Sequence, residues 1–532
     1  MGKYYITTPI YYVNASPHIG HAYTQIAVDA LSRYRKMTGD NVFFLTGTDE
    51  HGEKIEQASR EAGFKRGDEK KFVDGITDNF RKAWSGMGIE YDKFIRTTDE
   101  QHKTSVQDLV SRIKDNGDIY EGEYDGWFCT PCGTFWSAKQ SEDGLCPDCK
   151  RPLEKIKEKN YFFSMGKYRD WLIEYINNNP DFIMPEFRKN EVLGFLREEL
   201  GDLCISRPKT RSPWGIELPF DKEYVVYVWF DALTNYISGP VASGVFEEMW
   251  PPDVHVIAKD ILRHHAVYWP IMLKSAGFEL PRTIFAHGWW KMGGEKMSKS
   301  RGNIADPIAL ASKYGVDAVR YFVLKAVSFG MDGVFSEEAL VSTYNSDLAN
   351  DLGNLLNRTL TMVDKYFGGV APAAPLDPGD ADQAERSFET LMRYVPLLAP
   401  EIHSCMTSPE LRLKEALESI MDLVGRANKY IEESAPWTHA KKGNTKAIEL
   451  IIADLLEVLM TVAVSIYPFM PDTSKRMWSQ LGLGGTPDTT REVSDPDTGL
   501  EGGHGVRRAF SPGTRVSKGE PLFMRVKEET AS

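Results

Sequence analysis

The rhythm of apolar and polar positions changes three times along the chain. At the start, residues 4–8 (Tyr-Tyr-Ile-Thr-Thr) are aromatic and β-branched and predict a strand, followed by a turn with Pro9, Asn14 and Pro17. From His18, the apolar residues Ile19, Ala22, Ile26, Ala30 and Leu31 recur at roughly helical spacing until Gly39. Residues 41–45 again read as strand, and 51–62 as a helix closed by Gly63. Strands alternating with helices predict an α/β fold with a doubly wound, Rossmann-like parallel sheet. Near residue 117 this alternation stops. The stretch to about 228 is glycine-rich and aromatic, carries two tight cysteine pairs, and reads as an insertion. Strands at 224–230, 254–258 and 283–287, with a helix from Ile261, then resume the α/β pattern, so the insertion splits the nucleotide-type domain. After about 335, the leucine-rich segments 336–368, 383–403, 408–434 and 444–466 have helical period and predict an α-helical bundle. From Gly484 the chain is rich in Gly, Pro, Asp and Thr, a loop-like tail with a short strand near 522–526. The expected divisions are therefore 1–116, 117–228, 229–335, 336–483 and 484–532.

Length agrees with several domains: 532 residues exceed what one core supports. With 42% hydrophobic and 26% charged residues the composition is that of an ordinary soluble globular protein. The net charge of −13 does not point to nucleic acid, so any such contact has to be a local patch. The N-terminal residues lack the apolar run of a secretory leader. The most apolar late stretch, 448–470, contains Glu449, Asp454 and Glu457, which fits a buried bundle helix and not a membrane span. Six cysteines are too few for a disulfide scaffold, and the clustering of four points to a metal site in a reducing cytoplasm.

Three segments carry candidate chemistry. His18-Ile19-Gly20-His21 stands where a turn hands over to a helix, whose free N–H groups and partial positive charge attract phosphate. Gly20 leaves the backbone open to an adenine ring, and the two imidazoles, one turn apart, share a face. A metal pair or two ordinary surface histidines are the plain alternatives. Lys296-Met297-Ser298-Lys299-Ser300, after Gly293-Gly294, is a glycine-flanked loop whose two lysines could offset charge on a leaving pyrophosphate; a solvated basic loop is the alternative. Cys129, Cys132, Cys146 and Cys149 form C-x₂-C-x₁₃-C-x₂-C, the spacing of a closed tetrahedral Zn²⁺ knuckle with no open catalytic position. A redox pair is the lesser alternative, and Cys204 and Cys405 read as lone buried thiols.

The first two segments match, in order, the HIGH and KMSKS motifs of class I aminoacyl-tRNA synthetases. With Thr8-Pro9-Ile10-Tyr11-Tyr12, Gly47-Thr48-Asp49-Glu50-His51-Gly52, residues 226–232 (Val-Tyr-Val-Trp-Phe-Asp-Ala) and residues 259–265 (Lys-Asp-Ile-Leu-Arg-His-His), the chain resembles the methionyl-tRNA synthetase family over nearly its whole length. The resemblance implies activation of methionine by ATP, with Mg²⁺ assisting, and transfer of the methionyl group to tRNA(Met). It implies phosphate binding by His18 and His21, and most of the loop charge from Lys299. It also implies a methionine pocket of Ile10, Tyr12, Trp229, Ala232, Tyr236, Ile261 and His265, with Asp49 facing the substrate ammonium. An apolar, polarizable thioether suits aromatic walls, although each aromatic singly would suit plain core packing. In the bundle, Asn354 and Arg358, one helical turn apart, and Trp437 match positions that contact the anticodon. A base stacked on such an aromatic contributes roughly 1–3 kcal/mol. The single knuckle, and the absence of an appended dimerisation domain, favour a monomer. Two other readings stay open on the residues alone: a small-molecule nucleotidyltransferase, which would not need the bundle, and a non-catalytic tRNA-binding scaffold, which would not need His18, His21, Lys296 and Lys299.

Overall fold

The structure, a computed structural model, describes residues 2–129, 134–136, 144–147, 150–292, 295–296, 305–373, 391–489 and 510–527. Its chain divides into two compact units: Gly2–Val28 with Asn41–Trp289, and Asp29–Asp40 with Trp290–Ser532.

The first unit is built on six parallel strands in the order Lys93–Arg96, Asn41–Asp49, Lys3–Tyr12, Val254–Ala258, Thr283–His287, Ile183–Met184. The central strands are buried along nearly their full length, as their runs of apolar and β-branched residues require when helices cover both faces. Chain order reverses between Lys3–Tyr12 and Val254–Ala258. The crevice beyond the carboxyl ends of those two strands is where sheets of this kind bind ligands. The edge strand Ile183–Met184 comes from inside the stretch read as an insertion. The other strands described in that stretch are antiparallel: Ile119–Cys129 pairs with Glu154–Phe163 from Ile119↔Phe163 to Phe128↔Glu154, and Asp221–Val226 is flanked by Ser206–Pro208 and Glu217–Leu218, with the helices Arg169–Asn178 and Glu186–Phe195 between them.

One strand was over-extended by its apolar sequence. Residues 224–230 read as strand, yet the strand stops at Val226 and Val228–Leu233 is a helix. A short apolar run has no period of its own, so tertiary bonds decide it; here they are those of Asp231, which the helix turns inward.

Among the described residues the second unit is mainly helical, with the small sheet of Trp290–Met292, Glu295–Lys296 and Gly333–Val334 and an antiparallel bridge between Val370 and Arg515. Its helices include Val316–Lys325, Glu337–Thr343, Asn354–Phe367, Val395–Thr407, Leu413–Ser434, Thr445–Ile466 and Pro471–Gln480. The long helix Thr445–Ile466 is buried nearly all round, and its acids are satisfied inside the unit. Tyr430 Oη donates to Asp454 at 2.9 Å, and the Phe510 backbone N–H donates to Glu457 at 2.9 Å. Arg320, fully buried, bonds Asp29 at 2.7 Å and the carbonyls of Pro468 and Phe469 at 3.0 and 2.8 Å. None of the described helices is long and apolar enough to cross a membrane. Residues 383–390, expected to be helical, lie outside the described residues. No strand forms at 522–526; that segment is irregular and bonds to bundle side chains instead.

Candidate active site

The strand Lys3–Tyr12 leads through a turn to the helix Ile19–Met37, so His18 sits on the helix tip. Its carbonyl accepts the N–H groups of His21 and Ala22 at 2.9 and 3.1 Å. The rings of His18 and His21 stack with centroids 3.8 Å apart, and the Gly20 N–H donates to His18 Nδ1 at 3.1 Å. A Cβ on Gly20 would lie 2.9 Å from the His18 ring, so a side chain there would displace the imidazole. The tip is therefore two imidazoles beside bare backbone, with His21 set at 5.1 Å against the edge of Tyr11.

Asp49 ends the strand Asn41–Asp49 beside this tip's own strand, paired in register with Tyr12. It is 3% exposed, and its Oδ1 has no hydrogen-bond partner among the described residues. Burial, followed by the nearby charges of Asp231 and Glu50, pushes its carboxyl well above the usual carboxylate range. Burial and the adjacent Asp49 charge likewise raise the Tyr12 phenol. The Lys54 charge and the His51 backbone hydrogen bond pull the other way without offsetting the burial, so the site holds a buried carboxyl with one oxygen unpartnered among the described residues.

The other expected pocket residues gather on the elements that follow Val226 and Ala258. Tyr236 and Ala232 are buried in the main core of this unit, and Ile10, Trp229 and Ile261 pack half-buried against that core. His265 Nδ1 donates to the Ile261 carbonyl at 2.9 Å, which leaves Nε2 to accept the Tyr236 hydroxyl at 2.7 Å. Burial holds His265 down at about 4, so it is neutral at physiological pH. Trp229 stands edge-on to His265 at 6.3 Å and lies flat on His264 at 3.7 Å. The result is an aromatic wall, a neutral imidazole and a carboxylate.

Sequence reading missed the polar scaffold beneath these groups. Asp231 accepts from His51 Nδ1 and His102 Nε2, both at 2.7 Å, and His102 Nδ1 lies 2.7 Å from Ser238 Oγ. Burial would raise the Asp231 carboxyl, but the two histidines outweigh it and the net shift is downward. Glu50 is gripped by Arg96 at 2.6 and 2.9 Å and by the hydroxyls of Thr48, Thr77 and Thr98. His255, on the strand Val254–Ala258, lies 2.8 Å from Thr7 Oγ1, accepts from Trp269 Nε1 at 3.3 Å and underlies the Tyr236 ring at 4.0 Å. These partners are separated by up to 248 residues in sequence, and no local pattern links them.

The remaining expected residues fall elsewhere. Lys296 closes the short strand Glu295–Lys296, paired with Lys291, while Met297, Ser298, Lys299 and Ser300 lie outside the described residues. Cys129 and Cys146 meet in one small buried cluster with Leu153; Cys132 and Cys149 lie outside the described residues. In the helical unit Asn354 is exposed, Arg358 donates to Glu432 at 2.5 Å, and Trp437 is 40% exposed just after the helix Leu413–Ser434.

Comparison with known proteins follows this geometry. The family described as tRNA synthetases class I (M) matches residues 4–155 and 151–360, and the one described as the anticodon binding domain of methionyl tRNA ligase matches 381–531. A methionine–tRNA ligase of Clostridium tetani is 46% identical over 99% of this chain and 79% of its own length. That of Thermotoga maritima is 44% identical over 98% and 80%. The solved structure of Mycobacterium tuberculosis methionyl-tRNA synthetase in complex with methionyl-adenylate matches with a TM-score of 0.89 at 39% identity, covering 99% of this chain and 100% of that one. The apo form from the same organism matches with a TM-score of 0.83 at 36% identity, covering 99% of each chain.

Proposed function

The chain belongs to the methionyl-tRNA synthetase family of class I aminoacyl-tRNA synthetases, and from that premise we infer how its residues divide the reaction. The activity is that of a methionine–tRNA ligase. The methionine carboxylate attacks the α-phosphate of ATP, an oxygen–phosphorus bond forms, and pyrophosphate leaves. The terminal ribose hydroxyl of tRNA(Met) then attacks the resulting carbonyl, and AMP leaves.

The observation that carries the residue assignment is the buried carboxyl of Asp49 at the ligand end of the sheet, whose Oδ1 has no hydrogen-bond partner among the described residues. A substrate ammonium would pair with that oxygen, and an ion pair at a water-poor site is strong enough to fix the amino acid's orientation. Tyr12, Trp229, Tyr236, Ile10, Ala232, Ile261 and His265 then enclose the thioether side chain. Neutral His265 suits this role, because a charged imidazole would disfavour an apolar guest. His18, Gly20 and His21 hold the ATP phosphates at the helix tip. Lys296 and Lys299, with Met297, Ser298 and Ser300, form the loop that offsets the charge of the departing pyrophosphate. Mg²⁺ accompanies ATP as part of the substrate. In the helical unit, Asn354, Arg358 and Trp437 read the anticodon.

The knuckle residues fit a structural Zn²⁺. Cys129 and Cys146 are buried, form no disulfide, and are brought into one cluster from a strand and a hairpin. The Lys150 N–H closes the second turn onto the Cys146 carbonyl at 2.8 Å, with Lys150 at φ 61°. With Cys132 and Cys149 they supply the four thiolates that such a metal takes, and the ion would tie the antiparallel insertion together. None of the described cysteines is in a disulfide, and we read the setting as reducing and cytoplasmic. A single-chain enzyme is the accompanying reading, open to a sedimentation measurement.

The deciding experiment is exchange of labelled pyrophosphate into ATP with each of the twenty amino acids. Exchange dependent on methionine is expected; exchange driven by another amino acid, or none from folded, zinc-loaded protein, overturns the assignment of the pocket.

A further inference from the structure

The helical run that carries Asn354 and Arg358 is not regular along its length. Glu337–Thr343 is regular, Tyr344–Gly353 winds with wide π-type turns, and Asn354–Phe367 is regular again. An α-helix advances about 100° per residue, so each extra residue held in a wide turn rotates everything downstream by about that angle. The wide segment therefore sets which way Asn354 and Arg358 face. Wide turns are rare and cost energy, so something has to hold this one.

The holding contacts come from three directions within the helical unit. Asn345, 5% exposed, grips the C-terminal tail as a strand partner would: its Nδ2 donates to the Val526 carbonyl and its Oδ1 accepts the Val526 N–H, both at 2.9 Å. One turn of tail earlier, Phe523 stands edge-on against Tyr344 at 5.6 Å and lies along Gly353, whose missing Cβ would come within 3.9 Å of the ring. The tail is itself anchored. Arg476 donates to the carbonyls of Leu522 and Pro521 at 3.0 and 2.8 Å, and Lys518 reaches Thr361 on the regular helix at 3.1 Å. From the other sides, Asn428 caps the Asp351 carbonyl at 3.1 Å and the Tyr321 hydroxyl bonds Asp347 at 2.7 Å.

We propose that the tail segment 522–526, through Asn345 and Phe523, holds the wide turn and so sets the rotational phase in which Asn354 and Arg358 meet the anticodon. This rests on the reading of those two residues as anticodon contacts. Asn345 and Phe523 are positioning residues: they touch neither tRNA nor the reacting atoms. Released from the tail, the turn tightens, the downstream helix rotates, and the anticodon residues leave their register.

The test uses the full chain, with an RNA hairpin bearing the CAU anticodon as probe. Asn345→Leu, which keeps the size and removes both hydrogen bonds, and Phe523→Ala should each weaken hairpin binding about tenfold, within the range for losing one base contact. Methionine-dependent pyrophosphate exchange should stay within about twofold, since none of the residues assigned to methionine or ATP is among those that bond the tail. The specific readout is coupling. Arg358→Ala should weaken the hairpin in the wild-type background and change little when Asn345→Leu is already present, because the rotated arginine no longer contributes. Independent, multiplying losses, or hairpin binding that ignores both tail variants, overturn the proposal. Loss of Asn345→Leu to misfolding, seen as a collapsed melting transition, leaves the more exposed Phe523→Ala to decide by the same coupling. An Arg358→Ala variant that binds the wild-type hairpin normally instead sinks the anticodon reading itself, so the two failures are separable.

Discussion

The two units present their functional groups in opposite ways. In the sheet unit the groups assigned to methionine are buried and bonded to one another: Asp49 is 3% exposed, Tyr236 is 1% exposed, and Tyr236 and His265 are hydrogen-bonded to each other. In the helical unit Asn354 is exposed, Trp437 is 40% exposed, and Arg358 is occupied by a surface glutamate. On the proposed assignments the difference follows from the ligands. A small zwitterion is recognised by removing it from water, so its site should be dry, with a carboxylate held for the ammonium. Unstacked bases bring their own π-faces and charge, so an open aromatic and a mobile cation suffice. Damage to the first kind of site should therefore be severe and tied to protonation, and damage to the second mild and tied to salt.

The largest effect should come from the loop. Lys299→Ala is expected to slow adenylate formation by about a thousandfold or more, because the charge acts mainly as pyrophosphate departs. The methionine dissociation constant should hardly change. Single-turnover formation of methionyl-adenylate, with methionine binding measured calorimetrically, separates the two; a near-normal rate removes Lys299 from the mechanism.

Next comes Asp49→Asn, expected to lower kcat/KM for methionine by about a hundredfold, since truncating one partner of a buried charge pair costs about 2–5 kcal/mol. The same substitution should raise the melting temperature of the ligand-free protein, as it deletes a buried carboxylate with an unpartnered oxygen. A sensitivity to pH accompanies it. The fold raises the Asp49 carboxyl well above its ordinary value, so its protonation favours the folded state. That contribution is full below the usual carboxylate range and is lost as pH rises through the raised value. Methionine needs the ionised form, so KM for methionine should climb as pH falls into that window, and the climb should vanish in Asp49→Asn. A flat KM profile in the wild type would detach Asp49 from the ammonium.

How much of this contrast was readable from sequence differs between the units for the same reason. The strand-helix alternation, the His18–His21 tip and the bundle helices depend on local period and short motifs, and they were legible. Asp49 and Trp437 are singled out by motif, yet nothing in the string reveals that one is sealed in and the other open. The Asp231–His51–His102 triad and the His255 support of Tyr236 join residues far apart on different elements, which periodicity cannot register. The strand at 224–230 failed because an apolar run of that length is ambiguous until its buried Asp231 has partners. The strand expected near 522–526 failed because its backbone is engaged by the side chains of Asn345 and Arg476 in place of a neighbouring strand.

Trp437→Ala tests the open site. Tip aromatics that carry one stacked base contribute about 1–3 kcal/mol, so charging of tRNA(Met) at limiting tRNA should fall by that amount while pyrophosphate exchange stays at the wild-type rate. Equal losses in both assays would show that Trp437 supports the fold.

The smallest effect expected is also the sharpest probe of the contrast. Arg358 is paired at 2.5 Å with Glu432, whose side chain is 61% exposed. In the buried unit, removing one partner of such a pair would be costly. Here both side chains can be solvated, so Glu432→Gln should change folding stability by no more than about 1 kcal/mol. Its effect on RNA should have the opposite sign to that of every other substitution considered. An arginine relieved of its carboxylate is free to meet a phosphate or base, and one local negative charge facing the RNA is gone, so tRNA affinity should rise about two- to threefold at low salt and the gain should fade as salt is added. Filter binding of tRNA(Met) across a salt series measures this directly. If Glu432→Gln instead weakens binding at every salt concentration, the pair is holding Arg358 in its reading position, and the helical unit positions its groups by bonds to one another, as the sheet unit does.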